Sequence, residues 1–224
     1  MGKLWLIRHA PTLINQVSEK LSQEMVFSTN ALLNPEYCDM EISLNGRQLA
    51  LEFACRIHSL HISKVYVSPL RRALQTCEIM FKNHPDKPNI IVDHELHERV
   101  YSIQDISVYE GEPFPEFACF DWSNVPKKFL TLHFIKNIIK EDISHLTYKQ
   151  QREIIINKMQ EIKPLSLEES KNVKERGKKT ISRIAKECEK KNIAIVGHSA
   201  FFNNITGVKE KLPHCTPLLF QISK

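Results

Sequence analysis

The sequence is poor in the features that mark several large protein classes. It has six cysteines, at positions 38, 55, 77, 119, 188 and 215, and no two stand close enough to form a CxxC pair. A zinc site or a thioredoxin-type redox pair is therefore not expected. No apolar run approaches the roughly 20 residues of a membrane span. The first such run, Leu4-Trp5-Leu6-Ile7, is cut off by Arg8 and His9, which also argues against a secretory leader. Net charge is scarce: 31 basic against 26 acidic residues leave +5, too little to argue for nucleic acid. Internal repeats and low-complexity tracts are absent. These absences predict a reduced, soluble, cytoplasmic protein that binds neither membrane nor nucleic acid. They leave the oligomeric state open.

What is present is an ordinary globular composition. The 224 residues, 42% hydrophobic and 25% charged, suit one domain over residues 1–224. Short apolar runs predict strands at Lys3–Ile7, Val65–Ser68, Ile90–Val92, Ile193–Val196 and Leu218–Ile222, each rich enough in Ile, Val and Leu to be buried on both faces. Between them lie helical patterns. Ser43 can cap a helix with the stripe Leu49, Phe53, Ile57, Leu60, and Ser68-Pro69 reads as the start of one with the stripe Leu70, Leu74, Cys77, Phe81. A charged amphipathic helix is expected over Ser166–Lys191. The alternation argues for a layered α/β fold. Residues 94–163 break the rhythm with Pro113, Pro115 and Pro126, followed by helix-like stretches at Lys127–His145 and Tyr148–Glu161. They are expected to form a helical lid insertion over the sheet edge.

Chemistry concentrates at strand ends. Arg8-His9 ends the first strand, Gly197-His198-Ser199 follows another, and Ser68-Pro69-Leu70-Arg71-Arg72 leads from a third into a helix. A charge beside a buried strand costs free energy unless it is paired. Arginine suits planar recognition of phosphate, and helix N-termini favour anions. Arg8 could equally meet an internal carboxylate, with His9 as a hydrogen-bonded filler, but three such ends converging point to a phosphate site. A neutral imidazole there can attack phosphorus, fixed cations can meet the charge on its oxygens, and a carboxylic acid can protonate the leaving group. No carboxylate cluster with metal-ligand spacing is evident, so neither a metal nor a cofactor is expected.

These segments, with Thr12 and Asn15, Asp39–Gln48, Leu96-His97-Glu98-Arg99, and Glu169-Ser170 with Arg176 downstream, occur in an order that resembles the histidine phosphatase superfamily, the phosphoglycerate mutase-like proteins. The resemblance implies a three-layer sandwich with a mainly parallel mixed sheet flanked by helices. It implies hydrolysis of a phosphomonoester, a small phosphorylated metabolite, through a phosphohistidine. His9 resembles the nucleophile; Arg8, Arg72 and His198 resemble the phosphoryl clamp. Arg72 is preferred to Arg71 because it directly precedes the alanine of the motif. Thr12, Asn15 and Ser199 match substrate-binding positions. Glu98 resembles the general acid, with Glu95 and Asp93 as alternatives.

Ala10 and Ser199 replace the family's usual glycines, the latter as in plant and fungal phosphoglycerate mutase-like proteins, to which Phe114-Pro115 and Asp121-Trp122-Ser123 also point. Ser102 stands where mutases usually carry glycine, and the stretch 15–39 is longer than usual. A phosphoglycerate mutase and a protein phosphatase are the alternatives, and the insertion lacks the Trp-Arg-Arg run of true mutases. His58, His61, His84, His94, His133 and His145 read as surface or partly buried side chains, and so do His97 and His214, for which a place in the pocket lining is the alternative.

Overall fold

The computed structural model describes residues 2–15, 34–129, 139–162, 168–189 and 191–221. Six strands form one sheet: β1 (Leu4–Arg8), β2 (Lys64–Val67), β3 (Asn89–Asp93), β4 (Asp121–Asn124), β5 (Ile193–Gly197) and β6 (Pro217–Phe220), in the order β4-β3-β2-β5-β1-β6. All pairings are parallel except that of β6 with β1. The helices are α1 (Leu44–Ile57), α2 (Arg71–Phe81), α3 (Tyr148–Ile162), α4 (Ser170–Glu187) and α5 (Ser199–Thr206).

Strand alternation sorts the side chains into two cores. Ile7, Val65, Val67, Val92, Ala194 and Val196 point to one face, where Ala50 and Ile57 of α1 and Leu74, Cys77 and Phe81 of α2 cover them. Leu4, Leu6, Tyr66, Ile193 and Ile195 point to the other, beneath Val173, Ile181 and Ile184 of α4 and Phe201 and Phe202 of α5. This is the three-layer α/β sandwich with a mainly parallel mixed sheet.

Several details differ from expectation. Strand β4 lies within residues 94–163, expected to form a helical lid, and extends the sheet beside β3. Its sequence, Asp-Trp-Ser-Asn, has no strand signature. It holds its place through Trp122, whose indole stacks on Tyr109 at 5.5 Å and donates to the Phe117 carbonyl. Edge strand β6 is not buried on both faces, with Leu218 and Leu219 39% and 44% exposed; Ile222 lies outside the described residues. Of the expected Lys127–His145 helix, residues 139–145 are not helical, and 130–138 lie outside the described residues, as does most of the 15–39 stretch. A third core lies within residues 94–163, where Ile155, Ile156 and Met159 of α3 pack with Val100, Ile103 and Ile106.

Helix α2 starts two residues later than Ser68-Pro69 implied. Its N-cap is Leu70 in extended conformation, with no side-chain cap. Proline disfavours helical geometry in the residue before it, and this leaves the Ser68 hydroxyl for other work. Ser43 does cap α1, accepting from Gly46 N–H at 3.0 Å. Gly46 allows the close approach of α1 to the loop after β1, since a Cβ there would lie 2.2 Å from the Pro11 carbonyl oxygen.

Candidate active site

Parallel pairing puts the carboxyl ends of β1, β2, β3 and β5 on one edge, where open α/β sheets bind ligands. A cleft of about 440 Å³ opens there. Arg8, His9, Asn15, Arg72, Glu98 and Ser199 all line it, so residues from distant parts of the chain meet in one place. Thr12 does not line it. It is buried, and its hydroxyl bonds the Asn15 side chain at 3.0 Å, fastening the loop behind the wall.

His9 follows β1 directly, and its N–H donates to the Gly197 carbonyl at 2.9 Å. Its Nδ1 lies 2.7 Å from the Ala10 carbonyl. A carbonyl only accepts, so Nδ1 carries the proton and Nε2 keeps its lone pair. Burial, then the charges of Arg72, His214 and Arg8, hold this imidazole well below its ordinary pKa of 6.5. It is therefore neutral at pH 7.

His198 is wholly buried behind the cleft, its ring centroid 5.1 Å from that of His9. Its Nε2 meets Ser68 Oγ at 2.7 Å, and the same Oγ accepts from Leu70 N–H at 3.3 Å. The serine accepts from Leu70, and when its hydroxyl proton points to His198 Nε2 the imidazole proton sits on Nδ1. Among the described residues Nδ1 is buried and has no hydrogen-bond partner. Burial, then Arg72 and His9, depress the His198 pKa as well.

Arg8 donates from Nη1 to the Leu212 carbonyl at 2.7 Å. Arg72, only 3% exposed, donates from Nη1 to the Gln104 carbonyl at 2.7 Å and from Nη2 to Asp105 Oδ1 at 2.9 Å. Arg71 points elsewhere, to Glu41 at 2.6 Å and Glu116 at 3.4 Å.

Glu98 sits against the start of α5. Its Oε1 accepts from the N–H groups of Arg99 and Phe201, each at 2.8 Å, and its Oε2 from Ala200 N–H at 3.2 Å. Burial, reinforced by the neighbouring Asp105, pushes its carboxyl up to about 7 against the opposing pull of Arg72 and the N–H groups. Neither alternative acid lines the cleft: Asp93 pairs with Arg183, and Glu95 lies 3.3 Å from His94 Nε2.

The sequence pointed to Arg176 but missed Glu168 and Asp105, the carboxylates that hold these groups in place. Arg176 forks onto Glu168, with Nη2 3.0 Å from each carboxylate oxygen, and donates to the carbonyls of Glu95 and His97 at 2.5 and 3.0 Å. The arginine's partner is thus Glu168, one residue before the Glu169-Ser170 match. His214 donates from Nδ1 to the His9 carbonyl and packs edge-on to the His9 ring at 5.4 Å, but does not line the cleft; nor does His97. Arg99, Lys209 and Lys211 stand at the rim. Asp105 had a visible signal, the Ser-x-x-Asp capping pattern with Ser102. Among the described residues no group of three or more His, Cys, Asp or Glu could hold a metal ion, and no helix is long and apolar enough to cross a membrane.

Comparison with known proteins follows the same lines. The sequence profile of the histidine phosphatase superfamily (branch 1) matches residues 4–118. The fructose-2,6-bisphosphatase TIGAR B of Danio rerio is 33% identical over 92 residues, 40% of this chain and 34% of that protein, so the match spans about a third of its length. Among solved structures, the α-ribazole phosphatase of Shigella flexneri shares the fold at a TM-score of 0.53 and 16% identity, covering 99% of this chain and 91% of the other. The phosphoserine phosphatase of Entamoeba histolytica does so at 0.51 and 18%, covering 99% and 96%.

Proposed function

The chain belongs to the histidine phosphatase superfamily, and from that membership we propose that it hydrolyses a phosphomonoester through a phosphohistidine on His9. The observation that carries the reading is the state of His9: neutral, protonated on Nδ1 by the Ala10 contact, with the Nε2 lone pair available in a cleft shared with Arg8, Arg72 and Glu98.

In the first step His9 Nε2 bonds to phosphorus as the bond to the leaving oxygen breaks. Glu98, a carboxylic acid poised near neutral pH, gives its proton to the departing alkoxide. Arg8, Arg72 and the Nδ1–H of His198 meet the charge on the phosphoryl oxygens, so no metal is required. In the second step water attacks phosphorus, its proton passes to Glu98, and the P–N bond breaks to return neutral His9 and orthophosphate. Asn15 and Ser199 border the site and contact substrate; Thr12 serves indirectly through Asn15.

A small phosphorylated metabolite is the substrate that a cleft of about 440 Å³ suits. The rim cations Arg99, Lys209 and Lys211 suit a second acidic group beyond the phosphate, in keeping with the bisphosphate and phosphoserine named for the relatives. All six cysteines are unpaired, which supports a reducing, cytoplasmic setting.

The test is a rapid quench, without acid, of enzyme mixed with labelled substrate. Wild type should yield an acid-labile, base-stable phosphoenzyme and His9→Ala none. Undiminished label in His9→Ala would refute the assignment.

A further inference from the structure

Asp105 is the one cleft-lining carboxylate besides Glu98 among the described residues, and no part of the two-step chemistry uses it. It is 6% exposed and fully engaged. One oxygen, Oδ1, receives Arg72 Nη2 at 2.9 Å. The other, Oδ2, accepts from the N–H groups of Tyr101 and Ser102, each at 3.1 Å, and from the Ser102 hydroxyl at 3.4 Å. Gln104, its neighbour in the same turn, takes the other terminal nitrogen of Arg72. The turn therefore grips the guanidinium at two points, and the backbone grips Asp105.

A capping role alone accounts for only half of this. Closing the turn needs Oδ2; it does not need an ionised carboxylate aimed at a buried arginine. Burying an ion pair is costly and is repaid only by good geometry, so a pair retained in the wall of a catalytic cleft invites a second explanation. Glu98 supplies one. It lines the same cleft, it faces Asp105 and Arg72 from the turn and α2, Arg176 from α4, and the N-terminus of α5, and it is bonded to Arg99 N–H. Of these only Asp105 is negative. Two carboxylates sharing a buried site cannot both ionise freely.

Resting on the reading above that Glu98 is the acid and Arg72 part of the clamp, we propose that Asp105 is the positioning residue of this site, fixing the Arg72 guanidinium in one orientation and keeping the proton on Glu98 from beside it. Burial pushes the Asp105 carboxyl up, but Arg72 and the hydrogen bonds from Tyr101 and Ser102 pull the other way and favour its ionised form, whereas Glu98 has no salt-bridge partner among the hydrogen bonds that hold it. The pair thus divides its labour: one carboxylate orients a cation, the other carries a mobile proton.

The experiment is a carboxyl-carbon NMR titration of the whole chain, which needs no turnover. In wild type at pH 6, Asp105 should be ionised and Glu98 protonated; the reverse, or the same state for both, overturns the proposal without any variant. In Asp105→Asn, which keeps the shape of the turn, the Glu98 midpoint should fall by about one pH unit or more. The falling alkaline limb of kcat with an alkyl phosphate should move down with it, while an aryl phosphate with an acidic leaving group shows no such shift. A Glu98 midpoint unmoved by Asp105→Asn overturns the proposal. A wild-type protein that hydrolyses no phosphomonoester, yet shows both titrations as described, would refute the function proposed above and leave the Asp105–Glu98 relation standing.

Discussion

The two halves of the cleft are built differently. The floor rests on strand ends: His9 after β1 and Ser68 after β2 are fixed by ladder hydrogen bonds, and His198 after β5 is buried behind the cleft between the two apolar cores. The far wall comes from irregular chain, the 95–105 turn and the loop after α5, and is held by buried charges: Arg176 with Glu168, and Arg72 with Asp105. Neutral imidazoles can sit on apolar strands at modest cost, whereas a wall that must carry a titrating carboxylate needs compensating charge around it. The floor is rigid by packing and the wall is rigid by electrostatics.

That contrast can be broken most sharply at Glu98. Glu98→Gln should slow phosphoenzyme formation by about 10²–10⁴ with an alkyl phosphate. The loss with an aryl phosphate should be far smaller, because a good leaving group needs little protonation. Single-turnover kinetics separate this step from hydrolysis, where the same carboxylate serves as base. Equal losses for the two substrates would make Glu98 a positioning group. In wild type the sign of the pH dependence follows from the proton's role. Glu98 must be protonated to donate, so activity on alkyl phosphates should decline as pH rises through about 7. His9, depressed well below 6.5, imposes no loss until well on the acid side.

Next in size is the charge that holds the wall. Arg176→Met leaves Glu168 without its fork and frees the carbonyls of Glu95 and His97, so it should destabilise the fold by about 3 kcal/mol in denaturant titration. An unchanged midpoint would mean that packing alone fixes the wall. The smallest effect belongs to the rim. Lys209→Ala with Lys211→Ala should raise KM several-fold for substrates with a second acidic group, at about 1 kcal/mol or less per exposed charge, and leave kcat unchanged. Equal KM changes for substrates lacking that group would assign the lysines to general steering.

The same division explains what could be read from the sequence. Strands β1, β2, β3 and β5 and helices α1, α2 and α4 announce themselves through apolar runs and stripes, and their ends carried Arg8, His9, Arg72 and His198 into view. Boundaries moved by two residues at Ser68-Pro69-Leu70, and by four at each end of α4, which runs Ser170–Glu187 where Ser166–Lys191 was expected. The wall was less legible because its logic is long-range. Arg72 with Asp105 and Arg176 with Glu168 are pairs whose members have no local pattern to join them, and β4 is a strand by virtue of an indole stacked on Tyr109, not of its own composition. The family motif reached Glu98 but not the reason for its elevated pKa.

The contact between Glu98 and the start of α5 has a consequence for the rate itself. His198, the N-cap of that helix, offers no side-chain cap, so the N–H groups of Ala200 and Phe201 are aimed at the Glu98 carboxyl. While the acid holds its proton these dipoles face a neutral group and gain little. As the proton leaves, negative charge grows on the oxygens they already touch, and the interaction strengthens without any atom having to move. On the mechanism proposed above, the transition state is thereby favoured over the ground state at the donor as well as at phosphorus. In that mechanism helix α5 does for the conjugate base what Arg8 and Arg72 do for the phosphoryl oxygens, and it does so with backbone groups that no side-chain substitution can remove.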